Sequence, residues 1–264
     1  MTLSWWQGLL LGLVQGLTEF LPISSSGHLV LAERIVGYRP QGLFFEIAVH
    51  VATLLSVVLA YAGRLGRLLG GLVRGSAAEW RYAGLLILAT IPAAVAGVLW
   101  RDWFEATFHS MSALGAQFLF TAAILWSTKW AIPRATDPRV TPSRALLIGV
   151  AQAVAIIPAV SRSGTTIVAA LWSRLAPGPA AEFSFLMSIV VIAGSGILEA
   201  RHLSANSALL GPGLVTAFVA ALLSGIVAIR FLVALLRSNR FHLFAPYCAV
   251  VGVLCLIWFN MLGK

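Results

Sequence analysis

Two apolar stretches, residues 4 to 36 and 144 to 176, are each interrupted at mid-length by proline, serine and glycine, as LPISSSGH in the first and IPAVSRSGTT in the second. Each half is about 12 to 16 residues long, too short to cross a hydrocarbon core of about 30 Å alone. Unpaired backbone at membrane depth is tolerated only against protein or a wet cavity. The pattern therefore predicts a helix, a polar break and a helix returning to the same side. Six further runs, 43–62, 80–100, 111–128, 183–200, 211–235 and 243–262, are long enough to span. They are continuously apolar, whereas strands of a membrane barrel would alternate, so helices are the spanning element.

Composition excludes the soluble classes. Of 264 residues, 59% are hydrophobic and 10% charged, against roughly 25% charged in an ordinary soluble domain. The mean hydropathy is +0.93. High apolar content excludes disorder, glycine without a three-residue period excludes collagen, and two cysteines, Cys248 and Cys255, exclude a disulfide scaffold. A net charge of +9 would suit nucleic acid only if clustered on one soluble face; here the basic residues lie mostly in short loops, so no nucleic-acid partner is expected. The expected architecture is an all-α integral membrane protein, one polytopic domain over 1–264, with about six full transmembrane helices and two broken re-entrant hairpins.

The two broken stretches align at an offset of 137: Gly12 with Gly149, Gln15 with Gln152, Ser24 with Ser161, Ser26 with Ser163 and Gly27 with Gly164. Pro22 and Pro158 fall one residue out of register. Three full spans lie between the copies, an odd number, so the second enters from the opposite face and the repeat is expected to be inverted. Loops 63–81, 129–144 and 230–240 hold 11 of the 18 basic residues, whereas 101–110 and 201–210 hold Arg101 and Arg201. The first three are expected to be cytoplasmic. No basic residue precedes Arg34, which speaks against a basic secretory leader and for an outward N-terminus. The first hairpin then dips in from outside, the second from the cytoplasm, and their tips meet near the midplane. Trp80, Trp100, Trp103, Trp126 and Trp130 lie near span ends as an interfacial belt.

The chemistry-bearing residues concentrate at those tips. The first offers Gln15, Glu19, Ser24, Ser25, Ser26 and His28; the second offers Ser161, Arg162, Ser163, Thr165 and Thr166. Gln15 and Glu19 are four apart and share a helix face. Charged groups in apolar segments are costly unless paired or hydrated, which makes them functional candidates. A structural Glu19–Arg162 ion pair would explain those two residues but leaves His28 and the hydroxyl cluster unexplained. Two helix N-termini after the Ser/Gly breaks, together with Arg162, suit a phosphate. His28 can act as base, acid or nucleophile, and Ser25 is the alternative nucleophile. Glu19, with Gln15, can hold a hard divalent cation such as Mg²⁺ or Ca²⁺, or orient His28. Glu46 and His50, spaced i, i+4, either border the cavity or form a satisfied pair.

QGLTEFLPISSSGH (15–28) and PAVSRSGTT (158–166) resemble the two signature regions of the bacterial undecaprenyl pyrophosphate phosphatases of the BacA type, (E/Q)xxxE with a serine cluster and His, and PGxSRSxxT. The resemblance implies a catalytic core of Glu19, His28 and Arg162, supported by Gln15, Ser25, Ser161, Ser163 and Thr166; Ser25 is also expected among the catalytic residues as the alternative nucleophile, and Ser24 and Ser26 of the first tip are expected to bind substrate. Gln15 stands where many members have Glu, and Ala159 where the second motif has Gly. It further implies hydrolysis of undecaprenyl pyrophosphate to the monophosphate at the outer face of the bacterial inner membrane, recycling the carrier lipid for cell-wall synthesis and conferring bacitracin resistance. The expected partners are that polyprenyl pyrophosphate lipid, membrane lipid and a second copy of the chain in a homodimer. The alternative from another class is a polyprenyl-phosphate transporter or flippase, because broken helices meeting at the midplane are transporter architecture.

Overall fold

A computed structural model describes residues 3–38, 44–100, 103–104, 111–200 and 211–262. Arg101 and Arg201 lie outside the described residues.

The first broken stretch folds as α1 (Trp5–Phe20) and α2 (Ser25–Val36). Ser4 opens α1 with a capping box, accepting from the Gln7 backbone N–H while the Gln7 side chain accepts from the Ser4 N–H. Pro22 has no amide hydrogen to continue α1, and Leu21 is already extended, so the helix stops there. Two helices then occupy the first spanning run and the basic loop beyond it: α3 (Phe44–Ala60) and α4 (Ala62–Val73). The sequence places 63–81 in a loop, yet α4 is helical, turned 77° from α3. Its Arg64 and Arg67 alternate with Leu65 and Leu68, and Leu68 is buried, so one side of α4 lies on the core while Arg67, Leu69 and Val73 are exposed.

Next come α5 (Ala77–Leu99) and α6 (Met111–Trp126), the second hairpin α7 (Pro142–Val154) and α8 (Arg162–Trp172), then α9 (Pro177–Ala200), α10 (Pro212–Arg237) and α11 (Phe244–Leu262). Every one of the six expected runs carries a helix. Among the described residues, four helical segments, Ala77–Leu99, Pro177–Gly194, Pro212–Arg237 and Phe241–Trp258, have the length and hydropathy of membrane spans, and the bent α3–α4 pair, taken as one span, makes a fifth. The described α6 has 16 residues, fewer than a span of ordinary length.

Shifted by 137 residues, α1, α2, α3, α5 and α6 fall on α7, α8, α9, α10 and α11 in turn. Packing follows the same correspondence: α1 lies along α10 as α7 lies along α5, and α3 meets α9 as α6 meets α11. Glycine makes these approaches close. A Cβ on Gly12 would sit 2.2 Å from the Ala217 carbonyl oxygen, and one on Gly149 would sit 2.5 Å from that of Ala89. Gly115 and Gly252, themselves 137 apart, face each other where α6 crosses α11, each ideal Cβ 2.9 Å from the other's carbonyl oxygen.

The main core surrounds Phe20, Phe183, Phe185, Leu171 and Phe241. Outward, α10 shows Val215, Val219, Leu223 and Val227 at four-residue spacing, and α5 shows Ile87, Ile91, Val95 and Val98, all exposed. Such stripes on many helices exceed what water tolerates and match a lipid-covered perimeter. The five belt tryptophans are likewise exposed.

Candidate active site

The hairpin tips touch. α1 ends with Glu19 and Phe20, and the chain reverses through Leu21–Ser24 into α2. Ser24, at φ +71°, occupies the left-handed region, and its Oγ accepts from Gly27 N to start α2. The second hairpin repeats the device: Ala159 sits at φ +57°, and Ser161 Oγ accepts from Gly164 N to start α8. Ser163 Oγ donates across the junction to the Leu21 carbonyl (3.3 Å), while Thr121 Oγ1 donates to the Ala159 carbonyl (3.1 Å).

Glu19 is the centre of the junction. It is buried, and its Oε1 accepts from the guanidinium of Arg162. Its Oε2 accepts from Ser25 Oγ at 2.5 Å and from Gln15 Nε2 at 3.1 Å. A cavity of about 170 Å³ opens here, lined from the first hairpin by Thr18, Glu19, Ser24, Ser25 and Ser26, and from the second by Ala155, Val160, Ser161 and Arg162. One wall comes from neither hairpin: His50 of α3 faces Glu19 Oε2 at 3.9 Å. A larger groove of about 1000 Å³ between Tyr82, Glu182 and Arg230 contains none of these residues.

The expected residues thus divide. Glu19, Ser24, Ser25, Ser26, Ser161 and Arg162 line one cavity, and Gln15 stands directly behind Glu19. Thr166 lies under the site, where its hydroxyl bonds the Arg162 carbonyl (2.8 Å) and Ser184 Oγ (2.6 Å), fixing the start of α8. Ser163 serves the junction rather than the cavity. His28 faces away. Its Nδ1 donates to the Ser24 carbonyl (2.7 Å), a carbonyl being able only to accept, and Nε2 then accepts from the Tyr247 hydroxyl (2.7 Å). Its ring stacks on Tyr247 and meets Phe118 edge-on, so both nitrogens are satisfied. The imidazole in the cavity is His50, for which the only sequence signal is its four-residue spacing from Glu46 in an otherwise apolar run.

The donor set was expected to hold a hard cation, which takes about six oxygen ligands. Glu19 is already paired with Arg162 and accepts from Ser25 and Gln15, and Gln15 Oε1 is the one buried oxygen beside it without a partner. Among the described residues no group of three His, Cys, Asp or Glu converges. One engaged carboxylate beside a guanidinium does not make a resident Mg²⁺ or Ca²⁺ centre. Chemically, the cavity offers a planar cation for an oxyanion, a hydroxyl whose proton already points at a carboxylate, and two helix N-termini.

Fold and site define a helical membrane protein whose two broken hairpins bury a carboxylate, a guanidinium and hydroxyls at their junction. The chain belongs to the bacitracin resistance protein BacA family, whose profile matches residues 8–254. Similar proteins named undecaprenyl-diphosphatase include that of Desulforapulum autotrophicum, 38% identical with 96% of this chain and 97% of the relative covered. Those of Korarchaeum cryptofilum and Carboxydothermus hydrogenoformans are each 40% identical, over 94% and 95% of this chain and 96% of each relative.

Proposed function

We propose that this multi-pass membrane protein is an undecaprenyl-diphosphate phosphatase, hydrolysing undecaprenyl pyrophosphate to the monophosphate and inorganic phosphate. The observation that carries the reading onto named residues is the junction of Glu19, Ser25 and Arg162 in one cavity, in a chain related over almost its whole length to proteins bearing that activity's name. Arg162 binds the diphosphate as a fork and stabilises charge developing on the transferred phosphoryl group. Its attraction to the arriving anion loosens its hold on Glu19, which takes the Ser25 proton as Ser25 Oγ attacks the terminal phosphorus and passes it to the oxygen of the departing undecaprenyl monophosphate as the phosphoanhydride P–O bond breaks, so that Glu19 is a carboxylate again. Backbone N–H groups at the starts of α2 and α8 bind phosphate oxygens, with Ser26 and Ser161 as hydroxyl donors. Ser25 is favoured over His28 as nucleophile, because His28 spends both nitrogens on Ser24 and Tyr247.

In this reading a divalent cation, Mg²⁺ or Ca²⁺, travels with the diphosphate and neutralises it rather than residing on the protein. The basic loops face the cytoplasm, the first hairpin opens outward, and the substrate enters from the outer face of the inner membrane. The transport alternative has no observation of its own. The test is phosphate release from undecaprenyl pyrophosphate by purified protein in detergent, with and without chelator. Release that Arg162→Ala abolishes, in a variant that stays monodisperse, is the expected result; no release from folded wild-type protein overturns the reading.

A further inference from the structure

Two histidines in this chain share one local device and differ in what the far nitrogen meets. Each ring Nδ1 lies 2.7 Å from the carbonyl four residues earlier, His28 on Ser24 and His50 on Glu46. A carbonyl only accepts, so in each neutral ring Nδ1 carries the hydrogen and Nε2 is left as an acceptor. On His28 the Tyr247 hydroxyl fills that acceptor. On His50 it faces the cavity, 3.9 Å from Glu19 Oε2, on a side chain that keeps 40% of its surface exposed.

That separation is too long for a direct hydrogen bond, yet it suits one small ligand. A water oxygen about 2.8 Å from both atoms subtends an angle of roughly 90° there, so one hydrogen reaches Nε2 and the other Oε2. The lone pairs of a water held by both hydrogens point away from both acceptors, and Ser25 and Arg162 line the same cavity. We propose that His50 and Glu19 together hold the hydrolytic water, and that His50 acts as a hydrogen-bond acceptor that orients it. This rests on the phosphatase reading and assigns a role to a residue outside both signature motifs.

In the step concerned, the water oxygen bonds to the phosphorus carried on Ser25, and the phosphorus–Oγ bond breaks. One water proton passes through Glu19 to the Ser25 oxygen, and the other leaves on the phosphate. Since water enters only here, loss of His50 slows breakdown of the phosphoserine and leaves its formation intact.

The experiment compares wild type, His50→Leu and His50→Gln as full-length protein in detergent, with undecaprenyl pyrophosphate labelled on its terminal phosphate. Leu is expected to lower kcat about 10²-fold with KM falling in step, so that kcat/KM is nearly unchanged, and to leave label on the protein that a further Ser25→Ala change removes. Gln, which accepts a hydrogen bond at similar reach without an ionisable ring, is expected to restore most of kcat. A Leu variant that turns over like wild type, or a loss that Gln does not repair, overturns the role. Absent turnover in wild type would instead refute the phosphatase reading.

Discussion

The two hairpins share a capping device and differ in chemistry. In each, a helix ends at the break and a serine caps the returning helix, while the residue with positive φ is the capping Ser24 itself in the first and Ala159, two residues before the capping Ser161, in the second. Ser24 and Ser26 stand 3.3 Å apart, and so do Ser161 and Ser163. Among the positions where the copies diverge, Glu19 aligns with Ile156, Ser25 with Arg162 and His28 with Thr165. Gln15 consequently donates to Glu19, while buried Gln152, its counterpart, has no partner on either side-chain atom. Repetition builds a cradle of two helix starts, and divergence gives it a carboxylate, a hydroxyl and a guanidinium.

Changes that erase the divergence should cost most. Arg162→Ala should reduce phosphate release by about 10³-fold or more, with the protein still monodisperse on gel filtration. Wild-type-like release would remove Arg162 from the site. Ser25→Ala should cost about 10²-fold or more without lowering the melting temperature. His28→Ala, by contrast, should lower rate and melting temperature together, because it braces the Ser24 carbonyl and Tyr247; a rate loss at unchanged stability would return His28 to the chemistry.

Changes that attack the shared cradle should act alike on both copies. Gly12→Ala and Gly149→Ala each drive a methyl into a carbonyl of a packed helix, so each should destabilise by about 1–3 kcal/mol, read as melting temperature in detergent. If only one does, the two arms are not equivalently packed. Gln15→Leu should slow turnover by about 10-fold because Glu19 loses a donor. Gln152→Leu should be neutral or stabilising, since it removes two buried polar atoms without partners. Smallest is Ala159→Gly: with φ at +57°, removal of the Cβ should stabilise by up to about 1 kcal/mol. A lower melting temperature would show that the turn depends on the methyl's packing.

Much of this was legible in the chain. Pro22 and Pro158 with their serines and glycines marked both breaks, and the 137-residue offset marked the repeat, because helix termination and capping are local. Charges in apolar segments singled out Glu19 and Arg162. The α4 helix was not legible as such, since its arginines read as loop until Leu68 is seen on the core.

The sequence by itself determined that the chain is a helical membrane protein with two broken hairpins, since hydropathy, proline and capping residues act over a few neighbours. Only the tertiary structure decided which polar groups share a cavity. His28 lies nine residues from Glu19 in sequence and turns to Tyr247, whereas His50 reaches Glu19 from another helix. Which face a side chain presents follows from helix packing, and the approach of α3 to α1 depends on contacts among segments far apart in the chain.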